Sequence, residues 1–515
     1  MNSLKQAVGK RAMVVSGHDQ ASQAAIAMLE QGGSIADAAI AGAAVLSVVL
    51  PHACGLGGDA FILVHDAATG KTHGLNASGT SPALAQRDAF PQGLQERGPL
   101  SCNVPGMIAG WQALHDRFGS KPWSEVLASA IDTAKAGFAV SPVLAKASSI
   151  YQDMLSTSSQ SLFLPDGVPL SAGQVLRQPQ AARTLETIAK EGAAAFYQGP
   201  IADSIARASE AAGGLIRASD LQAYTPEWVD PIETEYAGHV VRTMPPNSYG
   251  LYLLLQLMAL EASSDKGGKG LDAPTRVAKL IRAAQAAFKV GARAVADPDP
   301  RYGAESAQLL LGPVGKERLK TATGGKPGNL GGTAVISVAD HEGNAITIIQ
   351  SVFLVFGSGV SDAETGVLLN NRLFGFTMEP GHPNEVGPSK RPAHTLCPAM
   401  VFKDGRLRYA VTTPGGPGQT LTLAQVMQAL FEEGASLSQA IQAPRWTMDL
   451  AGHSLFEHTM SEALVKGVQD LGEPMKAAEP GSPFFGSVKG IELQEDNTLI
   501  GAADDRRDAT VRSLS

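Results

Sequence analysis

Thr333 heads an apolar run, Thr333-Ala-Val-Ile-Ser-Val338, directly after Gly324-Gly-Lys-Pro-Gly-Asn-Leu-Gly-Gly332, where five of nine residues are glycine. Threonine in a strand is by default a β-branched residue that suits extended backbone. The glycines open a second possibility, because they let the chain take a contorted path into the threonine hydroxyl. Were the Gly332–Thr333 bond cut, Thr333 would carry a free α-amine with a pKa of about 7.7–8.0, partly neutral at pH 7. Such an amine can act as base for its own hydroxyl, the arrangement of an N-terminal threonine nucleophile. A second candidate is Gly415-Gly416, inside Thr412-Thr-Pro-Gly-Gly-Pro-Gly418. Paired glycines after a strand are most often a turn. They also present backbone N–H groups, and one such donor to a developing oxyanion is worth about 2.7–4 kcal/mol.

Other chemistries find less support. Gly55-Leu-Gly-Gly-Asp-Ala60 matches the dinucleotide pattern G-x-G-x-x-A, but an apolar helix precedes it and a strand follows. Thr80 stands about 20 residues on, where that motif wants an acidic residue. Gly331-Gly332-Thr333 lacks the lysine of a phosphate-binding loop, and neither a Gly-x-Ser-x-Gly elbow nor HExxH occurs. Cys54, Cys102 and Cys397 are far apart and odd in number, so neither a disulfide framework nor a metal site is expected. With 41 basic and 49 acidic residues, a net charge of −8 and no basic stripe, the chain is not expected to bind nucleic acid. A content of 44% hydrophobic and 17% charged residues excludes a largely disordered chain. The longest apolar stretch, Ala38 to Leu50, is too short to span a bilayer, and the first residues lack a signal-peptide core. A cytoplasmic protein without a membrane partner is the expectation.

The elements that must position these residues follow from periodicity and punctuation. Ala21 to Gln31 reads as a helix stopped by Gly32-Gly33, and Ser34 or Asp37 can cap a second, apolar helix running to Leu50. Pro51 to Asp59 reads as a loop, then Ala60–His65 and Thr72–Asn76 as paired strands around a turn. From about Pro122 to Leu310 the pattern is mostly helical, with Trp123–Gly137, Ala181–Glu191 and Leu251–Glu261 as examples and Ser263–Gly270 as a polar loop. Thr333–Val338 and Ala345–Gln350 form a hairpin about the Asp340–Asn344 turn. Strands at Gly366–Leu369, Ala399–Phe402 and Leu407–Val411 follow, covered by helices at Leu421–Glu433 and Ser438–Ala443. The last third therefore reads as α/β with a largely antiparallel sheet.

Several short segments occur in one order along nearly the whole chain. They are Gly32-Gly-Ser-Ile-Ala-Asp37, Pro51-His-Ala-Cys-Gly-Leu-Gly-Gly-Asp59-Ala-Phe61, Val104-Pro-Gly106, Met244-Pro-Pro-Asn-Ser-Tyr-Gly250 and Thr333 with its hairpin. Phe356-Gly-Ser-Gly359, Gly366-Val-Leu-Leu-Asn-Asn371, Lys390-Arg-Pro392, Pro414-Gly-Gly416 and Ala443-Pro-Arg-Trp446 continue the series. In these the sequence resembles the γ-glutamyltransferase family of N-terminal-nucleophile hydrolases. The resemblance implies an α+β fold, a four-layer αββα sandwich, made as one precursor. It implies self-cleavage between Gly332 and Thr333 into fragments 1–332 and 333–515, which together form one intertwined domain and a heterodimer, paired into a dimer of heterodimers. Thr333 Oγ would attack first the preceding carbonyl and then a substrate amide, with Gly415 and Gly416 as oxyanion hole and Ser351 near the nucleophile's amine. No metal or organic cofactor is implied.

The same resemblance exposes departures. The arginine that holds the glutamate carboxylate in the family would sit near Ser78 and is absent. An asparagine has become Phe353, a glutamine Arg372, the ammonium-binding aspartate Gly375, and a serine pair His394-Thr395. An arginine near the place of that aspartate repels an α-ammonium, since like charges about 4 Å apart cost on the order of 4 kcal/mol at an effective dielectric near 20. Arg372 instead offers a planar fork to a carboxylate or carbonyl, with His394 and Thr395 as added donors and Phe353 favouring a small or flat substrate. The plainer alternatives are a surface salt bridge for Arg372, a structural hydrogen bond for His394 and a core position for Phe353. The expected activity is hydrolysis of a small anionic amide, oxamate to oxalate and ammonia being the leading case. The alternatives are a γ-glutamyl hydrolase or transferase acting on glutathione, a glutaryl- or cephalosporin-type acylase, and a non-maturing relative that binds a metabolite.

Overall fold

The computed structural model describes residues 5–262, 271–327, 332–479, 482–504 and 506–515. The expected loop at Ser263–Gly270 and residues 328–331 of the glycine segment lie outside the described residues. Two seven-stranded antiparallel sheets make up its centre. In one, the strand order is Thr510–Leu514, Ala12–Ser16, Gly332–Asp340, Ala345–Phe353, Asp59–Asp66, Lys71–Ala77 and Glu227–Val229. In the other it is Lys5–Gly9, Leu499–Ala503, Lys489–Leu493, Arg406–Thr412, Ala399–Lys403, His239–Thr243 and Ile232–Tyr236.

Side-chain alternation along the strands builds the layers. Val335 and Ala339 of the Gly332–Asp340 strand enter an inter-sheet core with Phe61, Ile349, Met400 and Ile491. Ala334, Ile336 and Val338 point the other way, into a core shared with the Ile35–Val49 helix. The second sheet turns its outer face to the Gly250–Ala262, Ala273–Gly291 and Gly418–Phe431 helices. The result is the expected four-layer αββα sandwich.

The Ile35–Val49 helix is buried on nearly every side, as its composition predicts. It approaches the sheet so closely that a Cβ at Gly42 would stand 2.2 Å from Ile336 Cδ1. Ser34 caps it, with Asp37 completing a capping box. The Thr333 hairpin and the Asp59–Asp66/Lys71–Ala77 pair also appear as antiparallel partners, as expected.

Two expectations are corrected. Pro51–Cys54 is a short helix with proline at its first position, where the missing N–H costs nothing. The largely helical region contains the strands Glu227–Val229, Ile232–Tyr236 and His239–Thr243, the last two joined through Ala237-Gly238. Among the described residues no helix is long and apolar enough to cross a membrane.

Candidate active site

Strand pairing sets the position of Thr333. Gly332 faces Phe353 while Ala334 faces Gln350, so the register slips here: Ser351 and Val352 of the partner strand both stand opposite Thr333, a bulge that re-aims the side chains around it. Thr333 is buried, and its Oγ1 accepts a hydrogen bond from Gln419 Nε2 at 3.4 Å. The Gln419 amide is itself oriented, because its Oε1 accepts the Cys397 N–H at 3.0 Å. On the other side of the Gly332–Thr333 bond, Ser351 Oγ donates to the Gly332 carbonyl at 2.5 Å. Ser351 Oγ also accepts twice, from the Phe353 N–H at 2.7 Å and from Arg372 Nη2 at 3.4 Å.

Behind Ser351 lies a fully buried ionic cluster. Arg372 Nε donates to Asp59 Oδ2 at 3.2 Å, His394 Nε2 donates to the same oxygen at 3.3 Å, and the Gly79 N–H donates to Asp59 Oδ1 at 2.8 Å. No Cβ fits at Gly79, since it would stand 1.6 Å from the Val104 carbonyl oxygen. The Phe353 ring covers the guanidinium, 4.1 Å from Arg372 Cζ to the ring centroid, and the Phe353 backbone takes φ +79 to do so. Burial pulls Arg372 down to about 10, which leaves it cationic at neutral pH. Burial first, and Arg372 second, pull His394 to about 4, so its ring is neutral. The neutral ring donates from Nε2 and accepts the Leu396 N–H at Nδ1, 3.4 Å away. Arg372 Nη1 is buried and meets no hydrogen-bond acceptor among the described residues. Thr395 follows His394 into the interior.

Gly415 and Gly416 adopt φ +136 and +57, in the range that disfavours a side chain. Their carbonyls accept from the Gly418 and Gln419 N–H groups as the chain enters the Gly418–Phe431 helix. Among the described residues, neither the Gly415 nor the Gly416 N–H meets an acceptor. These two N–H groups lie at the positive end of that helix.

Thr333, Gly332 and Pro414 border a cavity of about 540 Å³. Cations dominate its charged lining: Arg97, Lys146, Lys489, Arg506 and Arg507 stand against Glu96 and Asp508. The structure thus gathers the expected site residues into two groups. Thr333 and Pro414, the residue before Gly415-Gly416, border the cavity, while Ser351 pairs with Asp59 across the sheet, Arg372 and His394 bond the Asp59 carboxylate, and Phe353 covers the guanidinium. Arg372, His394, Thr395 and Phe353 are not on the cavity wall. Sequence reasoning passed over Asp59, Gln419, Arg97 and Lys489. Asp59 closes the Gly55–Asp59 segment and Gln419 follows Pro414–Gly418, so a signal existed for both; nothing marks Arg97 or Lys489 before folding.

Comparison with known proteins gives a consistent result. A family model described as gamma-glutamyltranspeptidase matches residues 21–514. The chain is 32% identical to the glutathione hydrolase-like YwrD proenzyme of Bacillus subtilis, over 98% of both chains. It is also 32% identical to the oxamate amidohydrolase proenzyme of Klebsiella pneumoniae, over 97% of this chain and 98% of that one. A crystal structure of cephalosporin acylase from Bacillus halodurans superposes with a TM-score of 0.92 at 30% identity, covering 100% of this chain and 97% of that one.

Proposed function

Because the chain belongs to the gamma-glutamyltranspeptidase family, we propose that it is a proenzyme that cuts itself between Gly332 and Thr333 and then hydrolyses a small anionic amide, with oxamate as the leading substrate. In the first step Thr333 Oγ bonds to the Gly332 carbonyl carbon and the peptide C–N bond breaks. The hydroxyl proton ends on the Thr333 nitrogen. Water then splits the resulting ester, leaving fragment 1–332 with a carboxylate and fragment 333–515 with a free threonine. The freed amine is the base for each later attack on substrate, Ser351 stands beside it, and Gly415 and Gly416 hold the oxyanion. Ammonia leaves from oxamate on acylation, and water releases oxalate.

The observation that carries the substrate class is the position of Arg372. Two hydrogen bonds, of 2.5 and 3.4 Å, lead from the Gly332 carbonyl oxygen through Ser351 Oγ to its guanidinium. In oxamate the carboxylate is bonded directly to the amide carbon, so a cation that close to the reacting carbonyl suits it. Arg372 Nη1 is the donor still without a partner among the described residues. His394 shares the Asp59 carboxylate with Arg372, and the Phe353 ring packs over the guanidinium, so both would fix the direction of that cation.

The cavity favours a second reading. Oxamate has no side chain and would fill a small part of about 540 Å³, whereas a glutaryl-type acyl group would place a distal carboxylate among Arg97, Lys146 and Arg507. Steady-state assays on processed protein separate the two. Ammonia release from oxamate with kcat/KM well above that for a glutaryl amide, glutathione or γ-glutamyl-p-nitroanilide is the expected result. Turnover of the glutaryl amide without ammonia from oxamate replaces the first reading by the second.

A further inference from the structure

Ser351 has one hydroxyl proton and two acceptor lone pairs. The Phe353 N–H, at 2.7 Å, and Arg372 Nη2, at 3.4 Å, both donate to it. With its lone pairs turned toward these donors, the proton is left with one direction, the Gly332 carbonyl at 2.5 Å. Neither donor is free to swing away. Phe353 is held in the hairpin opposite Gly332, and its neighbour Leu354 donates its N–H to Asn371 Oδ1 at 3.0 Å. Arg372 is clamped by Asp59, which Gly79 and His394 hold in turn. The Arg372 N–H is tied to Asn370 Oδ1 at 3.0 Å, and the Asn370 amide reaches the Gly57 carbonyl at 2.9 Å.

We propose that Arg372, fixed by Asp59, is a positioning residue for self-cleavage: it orients the Ser351 hydroxyl so that its O–H keeps donating to the Gly332 carbonyl oxygen, where negative charge develops as Thr333 attacks. The inference rests on the reading that Gly332–Thr333 is the bond cut. It adds a task performed before any substrate is present, to a residue otherwise assigned to substrate recognition. A hydroxyl already pointing at the carbonyl need not reorient as the oxyanion forms, which is the condition under which such a donor is most effective. The cation two bonds from the carbonyl favours that charge further in a water-excluded interior.

The test is the rate of self-cleavage of freshly made full-length chain, followed by denaturing gel or intact mass, in Ser351→Ala, Arg372→Met, Arg372→Gln and the Ser351→Ala/Arg372→Met double variant. Ser351→Ala, which loses the donor itself, is expected to slow cleavage about 100-fold. Arg372→Met keeps the hydroxyl but frees its proton, and is expected to slow it about tenfold. Arg372→Gln, which restores an N–H donor, is expected to recover most of that loss. The double variant is expected to cleave no more slowly than Ser351→Ala alone, since Arg372 acts through Ser351. Cleavage of Arg372→Met at the wild-type rate, or a double variant slowed by the product of the two single effects, overturns the proposal. Should Arg372→Met fail to fold with Asp59 left unpaired, Arg372→Met is made together with Asp59→Asn, which removes the stranded charge, and its cleavage rate is compared with wild type: the same loss of about tenfold is expected, and a wild-type rate overturns the proposal. Thr333→Ala keeps the two levels apart: cleavage that persists there removes the reading of the scissile bond, whereas cleavage lost there but normal in Arg372→Met removes only the role of Arg372.

Discussion

Lys489 is the residue at which pH acts most directly on the cavity. It is buried on the wall that also carries Thr333, and its Nζ donates to Ser487 Oγ at 2.6 Å and to the Ser487 carbonyl at 3.0 Å. Burial pulls its pKa to about 7; Asp504 opposes that fall most, then Arg507 adds to it, Asp508 opposes and Arg445 adds. The folded protein therefore sheds this proton near neutrality, whereas an unfolded chain keeps it to the ordinary lysine value of about 10.4. Between those values the unfolded state holds more protons, so this group makes stability rise with pH across that window. Its effect on function has the opposite sense, because the cavity loses a positive charge as pH passes about 7. We predict that KM for an anionic substrate rises with an inflection near that pH, and that Lys489→Met abolishes it. An inflection unchanged in Lys489→Met would assign it to another group, the Thr333 amine first.

At the scale of elements, the Ile35–Val49 helix braces the Gly332–Asp340 strand, and Asp37 anchors the helix. Its carboxylate accepts the Ser34 N–H at 2.8 Å and the Ser120 hydroxyl at 2.7 Å, with the Ser120 and Lys121 N–H groups at 3.1 Å. Ser34→Ala removes one cap and is predicted to cost about 1 kcal/mol. Asp37→Ala takes the shared acceptor from several part-buried donors at once and is predicted to cost about 2–3 kcal/mol, both read from denaturant melts. Equal losses in the two variants would show that Asp37 does no more than cap. This cap was legible in Ser34-Ile-Ala-Asp37, as was the hairpin in its two apolar runs about the Asp340–Asn344 turn, because both signals are local. The strands Ile232–Tyr236 and His239–Thr243 were missed although Ala237-Gly238 marks their turn, since Ile232-Glu-Thr-Glu-Tyr236 carries two exposed glutamates and a weak apolar rhythm. The partnership of Arg372 with Asp59 was beyond reach for a different reason. It joins residues 313 positions apart, and an arginine's burial is decided by the fold. Phe353, expected at the substrate site, stands instead off the cavity wall with its ring over that arginine, a contact made at a backbone angle that no side-chain pattern announces.

At the scale of the whole molecule, the proposed cut falls where it cannot take the protein apart. In the first sheet, Ala12–Ser16 lies between Thr510–Leu514 and Gly332–Asp340, so a strand from before the cut is hydrogen-bonded on both edges to strands from after it. Ala345–Phe353 is then joined to Asp59–Asp66 along seven residue pairs. The second sheet interleaves in the same way: Lys5–Gly9 pairs with Leu499–Ala503, and Ala399–Lys403 with His239–Thr243. Separating the fragments would break ladders in both sheets and open the inter-sheet core, to which both fragments contribute. The work of holding the site therefore never depends on the Gly332–Thr333 bond. Native mass spectrometry of processed protein is predicted to give a complex no smaller than the intact 53.4 kDa chain, in multiples of one copy of each fragment. Denaturing conditions should divide it into pieces of about 34 and 19 kDa, the shares of that mass carried by residues 1–332 and 333–515. Free fragments under native conditions would mean that strand exchange across the cut is weaker than this topology requires, and a single mass in denaturant would mean that the chain is not cut at all.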